Sequence, residues 1–113
     1  MHELGLLYET AKTVTAFAEK NDISRVEIVE MDVGELSGVL PNVFDDYYQY
    51  VAEQYPVLKD SKLKLHMIPG EASCNDCKSV YNVMENQGRC PKCKSQNKTI
   101  LGGQQIIIRQ LEY

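Results

Sequence analysis

Nowhere does this chain hold an apolar run near the ~20 residues that cross a bilayer, and no basic segment followed by an apolar stretch opens it. A soluble cytoplasmic protein with no membrane partner is therefore expected. An excess of basic charge is also missing. Lys plus Arg number 12 against 16 Asp plus Glu, a formal charge of −4, whereas nucleic-acid binders carry a basic stripe. Between Glu71 and Thr99 five Lys or Arg do exceed three Asp or Glu, but four metal-bound thiolates with one Zn²⁺ contribute −2 and cancel the excess. A zinc-ribbon module for nucleic acid or protein contact is thus the second reading. No G-x-x-x-x-G-K-[ST] phosphate loop is present, so nucleotide hydrolysis would have to come from a partner. Asp45, Asp46 and Glu9 have neither a nucleophile nor an open metal position to serve, and no enzyme is expected.

What is present fits one modest core: 113 residues, 43% of them hydrophobic. Leu4, Leu7, Ala11, Val14, Phe17 and Ala18 recur at intervals of three and four, which predicts a helix with one buried stripe, ended by Asn21 and Asp22. The stretch 25–33 is rich in Val and Ile and alternates Val29, Met31 and Val33 with Glu30 and Asp32, the pattern of a half-buried strand. Pro41 suits the first position of a second helix carrying Phe44, Tyr47, Tyr48, Val51 and Tyr55 on its stripe and Tyr50 outside it, up to Pro56. Leu63, Leu65 and Met67 alternate with Lys62, Lys64 and His66 in a second strand that stops at Pro69-Gly70. His66 is read as a solvated strand residue rather than a metal ligand.

After Gly102-Gly103, the run Ile106-Ile107-Ile108 has no partner within its own segment and is expected to return to the first two strands. The fold class is then α+β, two helices on a three-stranded sheet with an inserted zinc-ribbon-like domain. The expected domains are 1–70 plus 103–113, and 71–102.

The insertion is built around Cys74-x-x-Cys77 and Cys90-x-x-Cys93, separated by twelve residues. Each pair can wrap its thiolates around one side of a tetrahedral ion, and in a reducing compartment thiols stay available for metal. Val80 to Met84 reads as a short strand and Asn86-Gln87-Gly88 as a turn that brings the second pair back to the first. Four protein ligands leave no open position, so Zn²⁺ here would be structural. Iron in a rubredoxin-like electron carrier is the competing occupant, and colour separates the two.

Met1-His2-Glu3 offers a different chemistry. A free α-amine, the His2 backbone nitrogen and the His2 imidazole can close adjacent five- and six-membered chelate rings. Such nitrogen-rich planar coordination suits Ni(II) or Cu(II), and Glu3 lies within covalent reach of a remaining position. A bulky second residue also keeps Met1 in place. The spacing alone leaves open a plain solvent-exposed His2 at a chain end.

The order of short motifs along the chain resembles the HypA/HybF family of nickel-insertion proteins for [NiFe]-hydrogenase maturation. It rests on Met1-His2-Glu3-Leu4, on Val33-Gly34-Glu35-Leu36-Ser37-Gly38-Val39, on Pro41 to Phe44, on the cysteine pairs, and on Gly102-Gly103 before the last strand. The resemblance implies a metallochaperone with Ni²⁺ as transported cargo and structural Zn²⁺ at Cys74, Cys77, Cys90 and Cys93. It implies His2 as the essential nickel ligand, Glu3 beside it, and Met1 entering through its amine. The implied partners are the maturation GTPase HypB and the [NiFe]-hydrogenase large-subunit precursor, and in some members the urease maturation proteins. A monomer or weak homodimer is expected. The chain departs from the pattern at Leu40, where some relatives carry a carboxylate, and at Gln104-Gln105, which replaces an acidic residue often found after the glycines.

Overall fold

The computed structural model describes residues 3–113; Met1 and His2 lie outside the described residues. The elements are α1 (Glu3–Lys20), β1 (Ile28–Gly34), α2 (Pro41–Ala52), a 3₁₀ turn (Pro56–Leu58), β2 (Lys62–Ile68), β3 (Glu71–Cys74), β4 (Val80–Asn82), β5 (Lys98–Gly102) and β6 (Ile106–Glu112). They form two sheets, ordered β2-β1-β6 and β4-β3-β5. The chain folds as two compact units. One comprises, of the described residues, 3–32, 39–66 and 107–113; the other comprises Val33–Gly38 and Met67–Ile106.

In the first unit α1 packs on α2 and on the 3₁₀ turn. The α1 stripe is Leu7, Ala11, Val14 and Ala18, each 1% exposed. Leu4 and Phe17, expected on it, are exposed instead. At ~100° per residue Phe17 trails Ala18 by more than a quarter turn, and Leu4 falls on the opposite shoulder. Glu3 lies four residues before Leu7, on the stripe itself, and is buried. The helix ends in a Schellman arrangement: Ile23 N–H bonds to the Ala18 carbonyl at 2.8 Å, with Asp22 at φ 56° in the position usually taken by glycine.

Helix α2 buries Phe44, Tyr48, Val51 and Ala52. Tyr47 is a correction: it is exposed, one residue off the stripe that Tyr48 leads. The helix stops at Ala52 rather than Tyr55, because Gln54 and Tyr55 donate to Val51 and Ala52 three residues back and Pro56 opens the 3₁₀ turn. Tyr48 Oη meets Ser61 Oγ at 2.6 Å inside the core.

Strand β1 presents Val29 and Met31 inward and Glu30 and Asp32 to the other face. Glu27 and Gly34 donate to Glu112 and Gln105, which makes β6 antiparallel to β1, whereas Lys62 donates to Glu27 and Glu35 to Ile68, which makes β2 parallel. Burial along β6 loses its alternation at Arg109-Gln110, two successive exposed residues. Both then reach carboxylates of β1: Arg109 to Asp32 at 3.4 Å, Gln110 to Glu30 at 2.6 Å. His66 Nε2 also binds Glu30, at 2.7 Å, so it is tied to a carboxylate rather than simply solvated.

The second unit has its own sheet, which periodicity did not reveal. Its strands are three to five residues long, and each sends one main apolar side chain inward: Ala72, opposite both Tyr81 and Ile100. Ala72, Cys74, Tyr81, Val83 and Cys90 form its core, with Leu36 and Ile100 packed against them. The segment 33–38 joins this unit through Glu35, whose carboxylate accepts from Gly70 N–H at 2.8 Å and Asn82 Nδ2 at 3.0 Å. Leu36 N–H donates to the Gly103 carbonyl at 2.7 Å. Only glycine fits at this backbone crossing: a Cβ on Gly34 would strike the Gly103 carbonyl, and Gly103 itself sits at φ 89°. Among the described residues no helix is long and apolar enough to cross a membrane.

Candidate metal centre

Cys74 closes β3, and the chain then turns sharply enough for Cys77 to come back beside it. Lys78 N–H bonds to the Cys74 carbonyl at 2.9 Å, with Lys78 at φ 66°, and Cys74 N–H bonds to the Ser79 carbonyl at 2.8 Å. The second pair repeats each of these features. Lys94 N–H bonds to the Cys90 carbonyl at 2.9 Å with Lys94 at φ 66°, and Cys90 N–H bonds to the Ser95 carbonyl at 2.9 Å. The repeat is visible in the sequence as Cys-x-x-Cys-Lys-Ser, at 74–79 and again at 90–95. Spacing of the cysteines alone passes over the lysines, which take the left-handed conformation, and the serines that close each turn.

The strands bring the two turns together. Cys74 Sγ lies 3.5 Å from Cys93 Sγ and Cys77 Sγ 3.4 Å from Cys90 Sγ. All four sulfurs fall within 4.8 Å of one another, and all four thiols are free. Zn–S bonds of ~2.3 Å in a tetrahedron place sulfurs about 3.8 Å apart, so the cluster has the dimensions of a four-thiolate metal site. Cys74 and Cys90 are buried; Cys77 and Cys93 are exposed.

The electrostatics call for a cation. The Ser79 hydroxyl, its backbone N–H and the Cys90 sulfur hold the Cys77 thiol down at about 6. The Ser95 N–H favours the Cys93 thiolate, yet the sulfurs of Cys74, Cys77 and Cys90, with burial, push that thiol up to about 12. Each sulfur that ionises thus opposes the next, and a divalent ion at the centre removes the conflict.

The N-terminal candidates are placed only in part. Glu3 opens α1 and is 2% exposed, and its Oε2 is buried with no hydrogen-bond partner among the described residues. Met1 and His2 lie outside the described residues. Leu40 is exposed at the position preceding α2, and Gln104 and Gln105 are exposed before β6.

A family described as hydrogenase/urease nickel incorporation metallochaperone, HypA, matches residues 1–113. The hydrogenase maturation factor HypA of Rhizobium leguminosarum bv. viciae is 33% identical over 113 residues, covering 99% of this chain and 98% of that protein. The maturation factor HybF of Klebsiella pneumoniae is 31% identical, with 99% and 98% covered. The solution structure of the Ni metallochaperone HypA from Helicobacter pylori superposes with a TM-score of 0.70 at 28% identity, covering 99% of this chain and 97% of that one. Fold, cysteine cluster and sequence agree over the whole length, and the chain belongs to the HypA family of hydrogenase maturation nickel metallochaperones.

Proposed function

We propose that this chain binds Ni(II) through the Met1 amine, the His2 nitrogens and the Glu3 carboxylate. We further propose that it passes the ion, with the GTPase HypB, to the [NiFe]-hydrogenase large-subunit precursor in the cytoplasm. Urease maturation proteins are a second recipient on the same chemistry. Structural Zn²⁺ occupies Cys74, Cys77, Cys90 and Cys93.

The observation that carries the nickel assignment is the buried carboxylate oxygen of Glu3, unpartnered among the described residues and adjacent in sequence to His2. Burying a polar atom without a partner costs about 1–3 kcal/mol, and a ligand at the helix start would relieve it. Planar nitrogen coordination completed by an oxygen donor suits Ni(II), whereas the sulfur cluster, closed by four thiolates, suits zinc. A carrier site with few protein ligands also leaves positions at which a recipient's donors can enter by ligand exchange.

Titrating metal-depleted protein with Ni(II), with a native and with a blocked N-terminus, tests the proposal. His2→Ala is expected to abolish nickel binding while zinc content and fold persist. Unchanged nickel affinity in that variant would overturn it.

A further inference from the structure

The two halves of the cysteine site share a backbone turn but differ in the side chains they carry. Asn75-Asp76 stands between the first pair of cysteines and Pro91-Lys92 between the second. Ser79 and Ser95 close the two turns in the same way, each through its carbonyl. Their hydroxyls diverge. Ser79 Oγ lies 3.4 Å from Cys77 Sγ of its own turn, whereas Ser95 Oγ crosses over and donates to the Asp76 carboxylate of the other.

That crossing is reinforced by its neighbours. Asn75 N–H donates to the Asn97 carbonyl at 3.0 Å, Asn75 Nδ2 donates to Asn97 Oδ1 at 2.9 Å, and the Thr99 hydroxyl donates to Asn75 Oδ1 at 2.9 Å. Asn97 N–H in turn donates to Ser95 Oγ at 3.1 Å, which leaves the hydroxyl proton for Asp76. Both residues between the first two cysteines are thus fastened to the segment that leaves the second two. The link runs one way only: Pro91 has no N–H with which to repeat the Asn75 bond, and Lys92 offers no acceptor for a serine hydroxyl.

The bridge ends on the ligands themselves. Asp76 directly precedes Cys77, and Ser95 follows Cys93 by two residues, so it joins the chain beside the two exposed cysteines. The Ser95 N–H serves the Cys93 sulfur, and the Ser95 carbonyl takes the Cys90 N–H at 2.9 Å. Groups behind metal ligands set how tightly those ligands hold an ion.

We propose that Asp76 and Ser95 are positioning residues of the metal centre: their hydrogen bond, backed by those of Asn75, ties the turn of Cys74 and Cys77 to the turn of Cys90 and Cys93 and tightens the hold on the ion. This rests on the four-cysteine site holding a metal. The bonds form only while the two turns are together, so their free energy enters the metal affinity. Charge alone acts in the opposite direction. A carboxylate next to four thiolates, still anionic as a group with Zn²⁺ bound, weakens the site by repulsion.

The test measures zinc affinity, by competition with a chromogenic chelator, for the full chain and for Asp76→Ala, Ser95→Ala and the double variant. Asp76 is exposed and Ser95 half-buried, so neither change opens the core. Wild-type protein that fails to take up one zinc per chain would refute the metal site itself, and this proposal with it. With the site loaded, each single variant is expected to lose about tenfold in affinity, the scale of one hydrogen bond to a charged acceptor. The double variant should lose about the same tenfold, because both changes delete one bond. Ser95→Thr, which keeps the hydroxyl, should bind zinc as the wild type does. Unchanged or raised affinity in Asp76→Ala, losses that multiply to about a hundredfold in the double variant, or a Ser95→Thr protein as weak as Ser95→Ala would each overturn the proposal.

Discussion

Removing the zinc proposed for the four cysteines should unfold one unit of this protein and spare the other. The first unit buries Leu7, Val14, Val26, Val29, Met31, Phe44, Tyr48, Val51 and Leu58 almost completely. Each contributes about 1.5–3 kcal/mol of burial, a core of ordinary size. The cluster of the second unit holds only Ala72, Tyr81 and Val83 besides two cysteines, with Leu36 and Ile100 half covered. Structural zinc at four thiolates supplies an apparent ~10–16 kcal/mol, comparable to the whole stability of a typical domain, about 5–15 kcal/mol. Zinc bound there would therefore outweigh burial in the second unit, whereas the first owes its core to burial. Hydrogen exchange followed before and after chelation reads the two separately. The amides of Lys78, Val83 and Lys94, all bonded within the metal unit, should lose protection by several orders of magnitude, while that of Phe44 holds. Retained protection at Val83 and Lys94 after metal removal, verified by elemental analysis, would refute the reasoning.

Three further outcomes follow from geometry already described. Tyr48→Phe leaves the buried Ser61 hydroxyl without its partner and should cost about 1–3 kcal/mol, while the double variant with Ser61→Ala recovers most of that in a denaturant-unfolding cycle. Glycine replacements should split in sign. Gly5→Ala meets open space on α1 and should gain up to about 1 kcal/mol, whereas Gly103→Ala, at φ 89° with a Cβ 2.5 Å from the Gly70 Cα, should lose more than that in thermal melts. Hydrogen bonding from His66, helped by Gln110 and the charge of Lys64, holds the Glu30 carboxyl below its ordinary value. Its contribution is therefore complete above the ordinary carboxylate range and is lost as pH falls through the lowered value; Glu30→Gln should flatten the acid limb of the stability profile.

The helices and the three longer strands were legible because each buries one face against a large core, so apolar spacing carries the information. Leu4, Phe17 and Tyr47 were assigned to buried stripes for being large and apolar, although each stands a shoulder away from the true stripe, and size does not fix angle. Glu3 went the other way: its polarity hid a position four residues before Leu7 that geometry buries. Strands β3 and β5 left no periodic signal, since a handful of residues grouped around thiols has no room for alternation. The cysteine pairs were plain from spacing, yet the Lys-Ser that follows each pair marks the same backbone turn and went unread. Glu35 appeared only as part of a motif; its bonds to Gly70 and Asn82 depend on a chain crossing that no local pattern encodes.

Within each repeated turn the first cysteine is buried and the second exposed. The centre accordingly has an inner and an outer pair of sulfurs, Cys74 with Cys90 and Cys77 with Cys93. A chelator or oxidant arriving from solvent would meet the outer pair first, and those two sulfurs could be detached while the inner two still held a bound ion. Loss of a metal held there would thereby be ordered, the exposed half of each turn before the buried half.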